Sequence, residues 1–309
     1  MNPLRISLLI LLAIFVALYL RSPRHPRLAF SYARWVILGL TSVAVLTPFV
    51  WLLAAIFKDK SVFNDYVFFP PLAELSRRTV NLGNFVELFR GQPSVQGTVY
   101  FWQYVLNSTV YATVSTILQL VFSSAAGYAL AKYKFRGQGV LVAFMLGSMM
   151  IPDVLLLAPL YKMVVDLGMV DTLMGLILPK MVSAYGIFLF RQACMSIPGE
   201  MIDAGRVDGC SELGIYYRLA MPLIRPMTAV FCLISFLAHW NAFFAPSIFL
   251  HSQDNLTLPV VLNLYISTYE SDYGVFLAGT ALAMIPPAIL FFALQREFIS
   301  GITSGAVKG

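Results

Sequence analysis

Residues 35–57 read WVILGLTSVAVLTPFVWLLAAIF, a run with no charged side chain. A helix of that length, at about 1.5 Å per residue, crosses the roughly 30 Å hydrocarbon core of a bilayer. Six further apolar stretches lie at about 4–20, 101–131, 140–165, 172–190, 227–250 and 273–294. Pro152 and Pro159 fall within 140–165, Pro179 within 172–190, and Pro286 and Pro287 within 273–294. Prolines in such runs are tolerated where neighbouring helices satisfy the freed carbonyls, so the expectation is kinked helices, not broken ones. Composition points the same way. The 309 residues include 21 Lys+Arg and 15 Asp+Glu, 12% charged, against 59% AVILMFWYC, and the mean hydropathy is +0.78. A soluble domain carries about 25% charged residues. Too little polar surface remains here to coat a soluble core, which excludes a soluble enzyme, a secreted disulfide scaffold and a disordered tail. The expected fold is all-α: a polytopic transmembrane helix bundle of six core spans plus an extra N-terminal span.

The net charge of +6 would suggest nucleic acid only if it formed a basic stripe on a folded face. Instead the basic residues sit in the connections. Segment 21–34 carries Arg21, Arg24, Arg27 and Arg34; segment 132–139 carries Lys132, Lys134 and Arg136; segment 191–226 carries Arg191, Arg206, Arg218 and Arg225; the tail carries Arg296 and Lys308. Segment 251–272 has no Lys or Arg, only Asp254, Glu270 and Asp272. By the positive-inside rule the basic segments face the cytoplasm and 251–272 faces outward. The 58–100 connection is mixed in charge and too long to orient. Cys194, Cys210 and Cys232 form no CxxC and read as free thiols. The 4–20 stretch carries Arg5 before its apolar run, but Arg21-Ser22-Pro23-Arg24 follows where a leader would have a small-residue cleavage site. A retained helix is the favoured reading, with a leader or a misassigned start as the others. The organisation expected is therefore 1–33 as an extra helix and basic loop, and 34–309 as one membrane domain.

One polar segment is longer than a connector needs. Residues 196–226 read SIPGEMIDAGRVDGCSELGIYYRLAMPLIRP, whereas helix connections usually take a few residues. Pro198 ends the preceding helix, and Glu200 and Asp203 then suit a helix start, where acids meet the positive end of the dipole. Ile202, Ala204 and Gly205 form a small surface suited to close packing. Gly209 marks a turn or a close backbone approach. A second helical stretch follows over 211–219, and Pro222 and Pro226 lead into the next span. The result is a helix–turn–helix elbow across the membrane face. Two readings fit it equally: an amphipathic element resting on lipid, or a docking surface for a cytosolic partner.

The elbow resembles the pattern E-A-A-x(3)-G-x(9)-I-x-L-P of the membrane subunits of bacterial ABC importers. Asp203-Ala204-Gly205, then Gly209, then Leu219, Met221 and Pro222 stand at that spacing, with Asp for Glu, Gly for Ala, Leu for Ile and Met for Leu. Asn107-Ser108, the run AAGYALA at 125–131, Phe135-Arg136-Gly137, Met150-Ile151-Pro152, Pro159-Leu160-Tyr161, Leu167-Gly168, Trp240-Asn241 and the ending GITSGAVKG at 301–309 resemble the carbohydrate-uptake (maltose and glycerol-3-phosphate) branch, smaller-subunit type. The likeness covers about 100–309 and weakly 34–57; the extra N-terminal helix departs from it.

The resemblance implies a non-enzymatic permease subunit in a bacterial inner membrane. It implies partnership with a second permease, an ABC ATPase dimer that binds the ATP, an extracytoplasmic solute-binding protein, a carbohydrate substrate and membrane lipid. This chain itself would hold no cofactor and no metal. By the same likeness Glu200 to Gly209 would seat in an ATPase groove, Asp203 would pair with a basic residue there, Ala204 and Gly205 would allow close approach, and Gly209 would supply the turn. Displacement of the elbow would pass through Pro222. The tail residues Gly305, Lys308 and Gly309, too glycine-rich to read as packed helix, would reach the ATPases or fray. Segment 251–272 would probe the binding protein or serve as a plain connector.

From the residues alone, Lys180 beside Pro179 is an intramembrane charge and a candidate for the pathway, or it snorkels, or it sits where a helix unwinds. Asn241 reads as a pathway residue or a helix–helix hydrogen bonder. Asp153 stands next to Pro152, and His239 and Trp240 precede Asn241. No metal-ligand spacing and no Walker-type loop occurs. An ion-coupled secondary transporter would need paired acids within the spans and a membrane enzyme would need clustered His, Asp or Ser; the alternatives kept are that ion-coupled transporter and an ABC permease for a non-carbohydrate solute.

Overall fold

A computed structural model of the chain describes residues 13–19, 27–94, 97–267 and 272–306. It divides into two compact units, Met1–Asn84 and Phe85–Gly309.

In the first unit, residues 13–19 are helical and the rest of the 4–20 stretch lies outside the described residues. Helix α1, Arg27–Ala55, runs continuously through Pro48. The boundary expected at 33/34 therefore falls inside a helix. Most α1 side chains are exposed, Trp35, Ile37 and Val43 among them, the outcome expected where the surrounding medium is hydrocarbon. Beyond it, Lys58 is fully buried. Its ammonium donates to the carbonyls of Tyr66 (2.6 Å), Phe63 (3.2 Å) and Val67 (3.5 Å). Burial lowers its pKa. Backbone carbonyls thus fold the start of the mixed-charge connection around one cation.

The second unit opens with a hairpin, β1 (Gln92–Ser94) and β2 (Gly97–Val99), antiparallel with Gln92 opposite Val99. The 32-residue helix α2, Phe101–Lys132, follows. It buries Ser108, Ser115, Thr116, Gln119, Ser123 and Ser124 while exposing Leu106, Ile117, Val121 and Phe122. Polar groups facing inward and apolar groups outward is the arrangement that lipid imposes on a helix with protein on one side.

Two of the spans expected only to kink, 140–165 and 172–190, are instead broken, and a third sharp bend precedes the 227–250 span. Helix α3 (Gln138–Ser148) meets the turn Asp153–Leu156 and α4 (Leu157–Asp166) at 95°. Pro152 there is extended, with φ −62 and ψ 129, and a proline disfavours helix at the residue before it. Helix α5 (Leu173–Ile177), with its continuation Leu178–Lys180, bends by 44° into α6 (Ala184–Met195). Pro179 lacks the donor that would extend the ladder, and Ser183 starts α6 as its N-cap, accepting from Gly186 N. Elbow helices α7 (Gly199–Val207) and α8 (Glu212–Ile215) follow. The turns Tyr216–Ala220 and Met221–Leu223 extend α8 before an 83° bend into α9, Arg225–Trp240. The 227–250 stretch then breaks again after Trp240, and α10 is Phe244–Phe249. Segment 251–272 is more than a polar connector: it contains α11, Leu258–Ser267, with Leu258, Val260, Val261, Leu262 and Tyr265 buried. Only the Pro286–Pro287 site behaves as a kink, between α12 (Tyr273–Ala283) and α13 (Ile285–Ala306), which count together as one apolar helix over Tyr273–Glu297.

Among the described residues three helices are long and apolar enough to cross a membrane, or up to six if each bent pair is one span.

Candidate functional site: a polar elbow and a polar-walled cavity

Helix α7 turns only one small face inward. Ile202 and Gly205 are buried, while Glu200, Asp203, Ala204 and Arg206 are exposed. Ile202 joins a core with Phe190, Cys194, Ile197, Ile215, Ala220, Ile224 and Phe231. A side chain at Gly205 would come within 3.3 Å of Ile215. The small residue expected to admit a partner is therefore spent on packing α7 against α8 of the same chain; Ala204 remains outward. Gly209 has φ +79 with open space around it, so the need is for a left-handed turn and not for close approach. Ser211 caps α8 through Gly214 N.

The turn is closed by charge. Arg206 bonds Asp203 (2.8 Å) and Glu212 (2.7 Å), linking α7 to α8. Tyr133, just beyond α2, donates to the same Glu212 carboxylate at 2.5 Å. These two bonds hold Glu212 below the usual carboxylate range, Arg206 first. Burial and then the Glu212 bond push Tyr133 up to about 12. Asp203, expected to pair outside the chain, is paired within it and still exposed.

The broken spans and α2 border an open cavity of about 340 Å³. Tyr111, Gln119, Asp153, Lys180, Ser183 and His239 supply polar walls, and Tyr185, Phe231, Phe243 and Phe244 supply rings. Gln119 stitches the wall: its Nε2 donates to the Lys180 carbonyl (2.7 Å), and its Oε1 accepts from Ser235 (2.9 Å). Ser123 accepts from Ser183 N at 3.2 Å. Lys180 lies at the end of the α5 continuation, and its ammonium meets Asp153 at 3.3 Å across the cavity wall. Lys180 thus stands at the break between α5 and α6 and lines the cavity. Asn241 is exposed at the end of α9 and does not line the cavity; its backbone N–H bonds the Leu237 carbonyl. Its neighbours His239 and Ala242 line the cavity instead, because the helix ends between them.

At the opposite end of α2, Asn107 donates to the carbonyls of Asp254 and Leu256, and Ser108 accepts from Leu258 N. Asp171, in the left-handed region at φ 60, accepts from His251 N and Ser252 N. Burial opposes its ionisation, but the Ser252 hydroxyl and those two N–H groups hold its pKa below the usual value.

The profile of the family "Binding-protein-dependent transport system inner membrane component" matches residues 120–303, a stretch that takes in the whole elbow and the cavity residues from Asp153 onward. The chain belongs to that family. It is thus a multi-pass inner-membrane component of an ABC transport system. This permease is 36% identical over 236 residues to the arabinooligosaccharides transport system permease protein AraQ of Bacillus subtilis (strain 168), covering 76% of this chain and 82% of that one. It is 31% identical over 279 residues to the lactose transport system permease protein LacG of Rhizobium radiobacter, covering 88% and 94%. The solved bacterial ABC transporter involved in import of the acidic polysaccharide alginate matches it in fold, with TM-score 0.72 and 21% identity over 89% of this chain and 98% of that one.

In this permease the predicted elbow residues Glu200, Asp203, Ala204, Gly205, Gly209, Leu219, Met221 and Pro222 do fall on one elbow, with Leu219 and Met221 packed against its core. The tail is different: Gly305 lies within α13, which runs to Ala306, and Lys308 and Gly309 lie outside the described residues. A glycine costs a helix roughly 1 kcal/mol without ending it. The sequence reading missed Tyr133, Glu212, Gln119 and Ser235. A signal existed for Gln119, since Ser108, Ser115, Gln119 and Ser123 recur at helical spacing along an otherwise apolar run.

Proposed function

We propose that this chain is one of two permease subunits of a carbohydrate importer, its elbow docked on an ABC ATPase dimer and its opposite side served by an extracytoplasmic solute-binding protein. The observation that carries the proposal is the elbow: a helix whose exposed face is acidic and small, ending in an obligatory left-handed turn at Gly209, at the spacing of the importer motif. The sugar class rests on the oligosaccharide and lactose named for its relatives. Hydroxyls and amides beside aromatic rings in the cavity suit a sugar, whose polar edges and apolar faces need both. ATP is bound by the partner subunits, and closure of their dimer displaces the elbow. The bundle then switches between inward- and outward-open states by rigid-body motion. Lys180 and Asp153 border the route.

The test is affinity purification of the tagged chain in mild detergent from its native cell, with wild type beside Gly209→Asp. Wild type is expected to bring down a second permease and an ATPase. The variant, whose side chain must adopt a left-handed conformation at the docking turn, is expected to insert in the membrane and lose the ATPase. A wild-type chain that purifies alone and transports in vesicles without ATP would favour the ion-coupled alternative. An ATPase complex with no sugar uptake but uptake of another solute would favour the non-carbohydrate one.

A further inference from the structure

Two consecutive residues hold the two arms of the elbow. Lys132, the last residue of α2, donates from Nζ to the carbonyl of Ile197 at 2.5 Å, one residue before Pro198 starts the first arm. Tyr133, the cap of α2, donates to Glu212 in the first turn of the second arm. About two helical turns further back, Ser124 Oγ and the Tyr216 hydroxyl of the second arm share a hydrogen bond at 2.7 Å. Tyr216 opens the π-helical turn Tyr216–Ala220, a geometry that occurs most often at functional positions. The same helix continues to the cavity, where Gln119 grips the Lys180 carbonyl and Tyr111 lines the wall. The chain itself leaves the elbow at two joints, the Ser196–Pro198 break after α6 and an 83° bend at Ile224 before α9, and the bonds to α2 are a third connection.

We propose that Lys132 and Tyr133 are positioning residues that clamp both arms of the elbow to α2, so that α2 carries elbow displacement to the cavity wall. The inference rests on the docking role of the elbow proposed above. It concerns neither the docking surface nor the solute, because both residues lie outside 196–226. A network of hydrogen bonds carries coupling only if its removal weakens the response of one end to a change at the other, and this can be measured.

The test uses the complex purified from its native cell, with MgATP as the only ligand. One labelled protein carries a spin label on the exposed thiol of Cys210 in the elbow. A second, with the native cysteines replaced, carries a label pair at Val154→Cys and Phe244→Cys, two exposed positions lining the cavity. In the unsubstituted background MgATP is expected to shift both signals. In Lys132→Met/Tyr133→Phe the Cys210 response is expected to persist, while the distance change across the cavity falls at least twofold. Lys132→Arg, which keeps a cationic donor, is expected to restore most of it. A cavity response of full size in the double variant overturns the inference and leaves docking intact. If the double variant does not assemble, Tyr133→Phe alone decides: it removes one hydroxyl, and an undiminished cavity response overturns the clamp. Absence of any Cys210 response in the unsubstituted complex instead overturns the docking role, and the inference with it.

Discussion

Helices α7 and α2 bury opposite faces. The elbow helix α7 turns Ile202 and Gly205 inward and leaves Glu200, Asp203 and Arg206 outside. Helix α2 turns Ser115, Gln119 and Ser123 inward and leaves Ile117, Val121 and Phe122 outside. Water solvates the exposed charges of α7 and makes their pairing worth little. On α2's inward face Gln119 and Ser123 find protein partners, so losing one strands the other, while the buried Ser115 hydroxyl has none. The difference teaches that similar hydrogen-bond lengths, 2.7 Å for Arg206–Glu212 and 2.7 Å for Gln119–Lys180, carry unequal weight in the two places.

That contrast can be broken at three points. The largest effect is expected at the contact on which α2's inward face depends. At Gly127 an added Cβ would sit 2.7 Å from Phe190 Cβ and 2.8 Å from the backbone of Arg191. Gly127→Val should force α2 from α6 and cost about 3 kcal/mol, read as a fall in Tm of the detergent-purified chain. A near-native Tm would mean the two helices do not rely on close approach. Next, Gln119→Leu should cost about 2 kcal/mol by stranding the Lys180 carbonyl, and the break between α5 and α6 should loosen, seen as faster amide exchange at 181–183. Equal stability would show that water reaches the cavity wall and takes over the bond.

The smallest effect is expected in the elbow, where Arg206→Ala should shift Tm less than either bundle variant. There the sign of a pH effect is also fixed. Glu212 is held below its ordinary value, so its contribution is present above the unfolded carboxylate pKa, about 4.3, and is lost as pH falls through the lowered value. Removing Arg206 should move that acid loss to higher pH. An Arg206→Ala shift as large as that of Gln119→Leu would erase the distinction between the two regions.

Much of this was legible in the residues. The apolar runs announced membrane helices, because a bilayer leaves a backbone no other way to satisfy its polar groups. The turn at Gly209 and the elbow around it were readable because φ > 0, proline breaks and helix-start acids are local requirements. The cavity was not. Whether Pro152 and Pro179 kink or break a helix depends on whether another element supplies the missing partners. Here it is α2 that does so at the second break, through Gln119 to the Lys180 carbonyl and Ser123 to Ser183. The pairing of Lys180 with Asp153 and the clamp of Lys132 and Tyr133 on the elbow join residues from 27 to 79 positions apart at their closest and farthest. Sequence alone determined which segments meet lipid and that the chain turns at Gly209, since both follow from side chains a few residues apart. Which polar groups find one another was decided only by the tertiary structure, because a hydrogen bond needs two partners within about 3 Å and no local pattern states that distance.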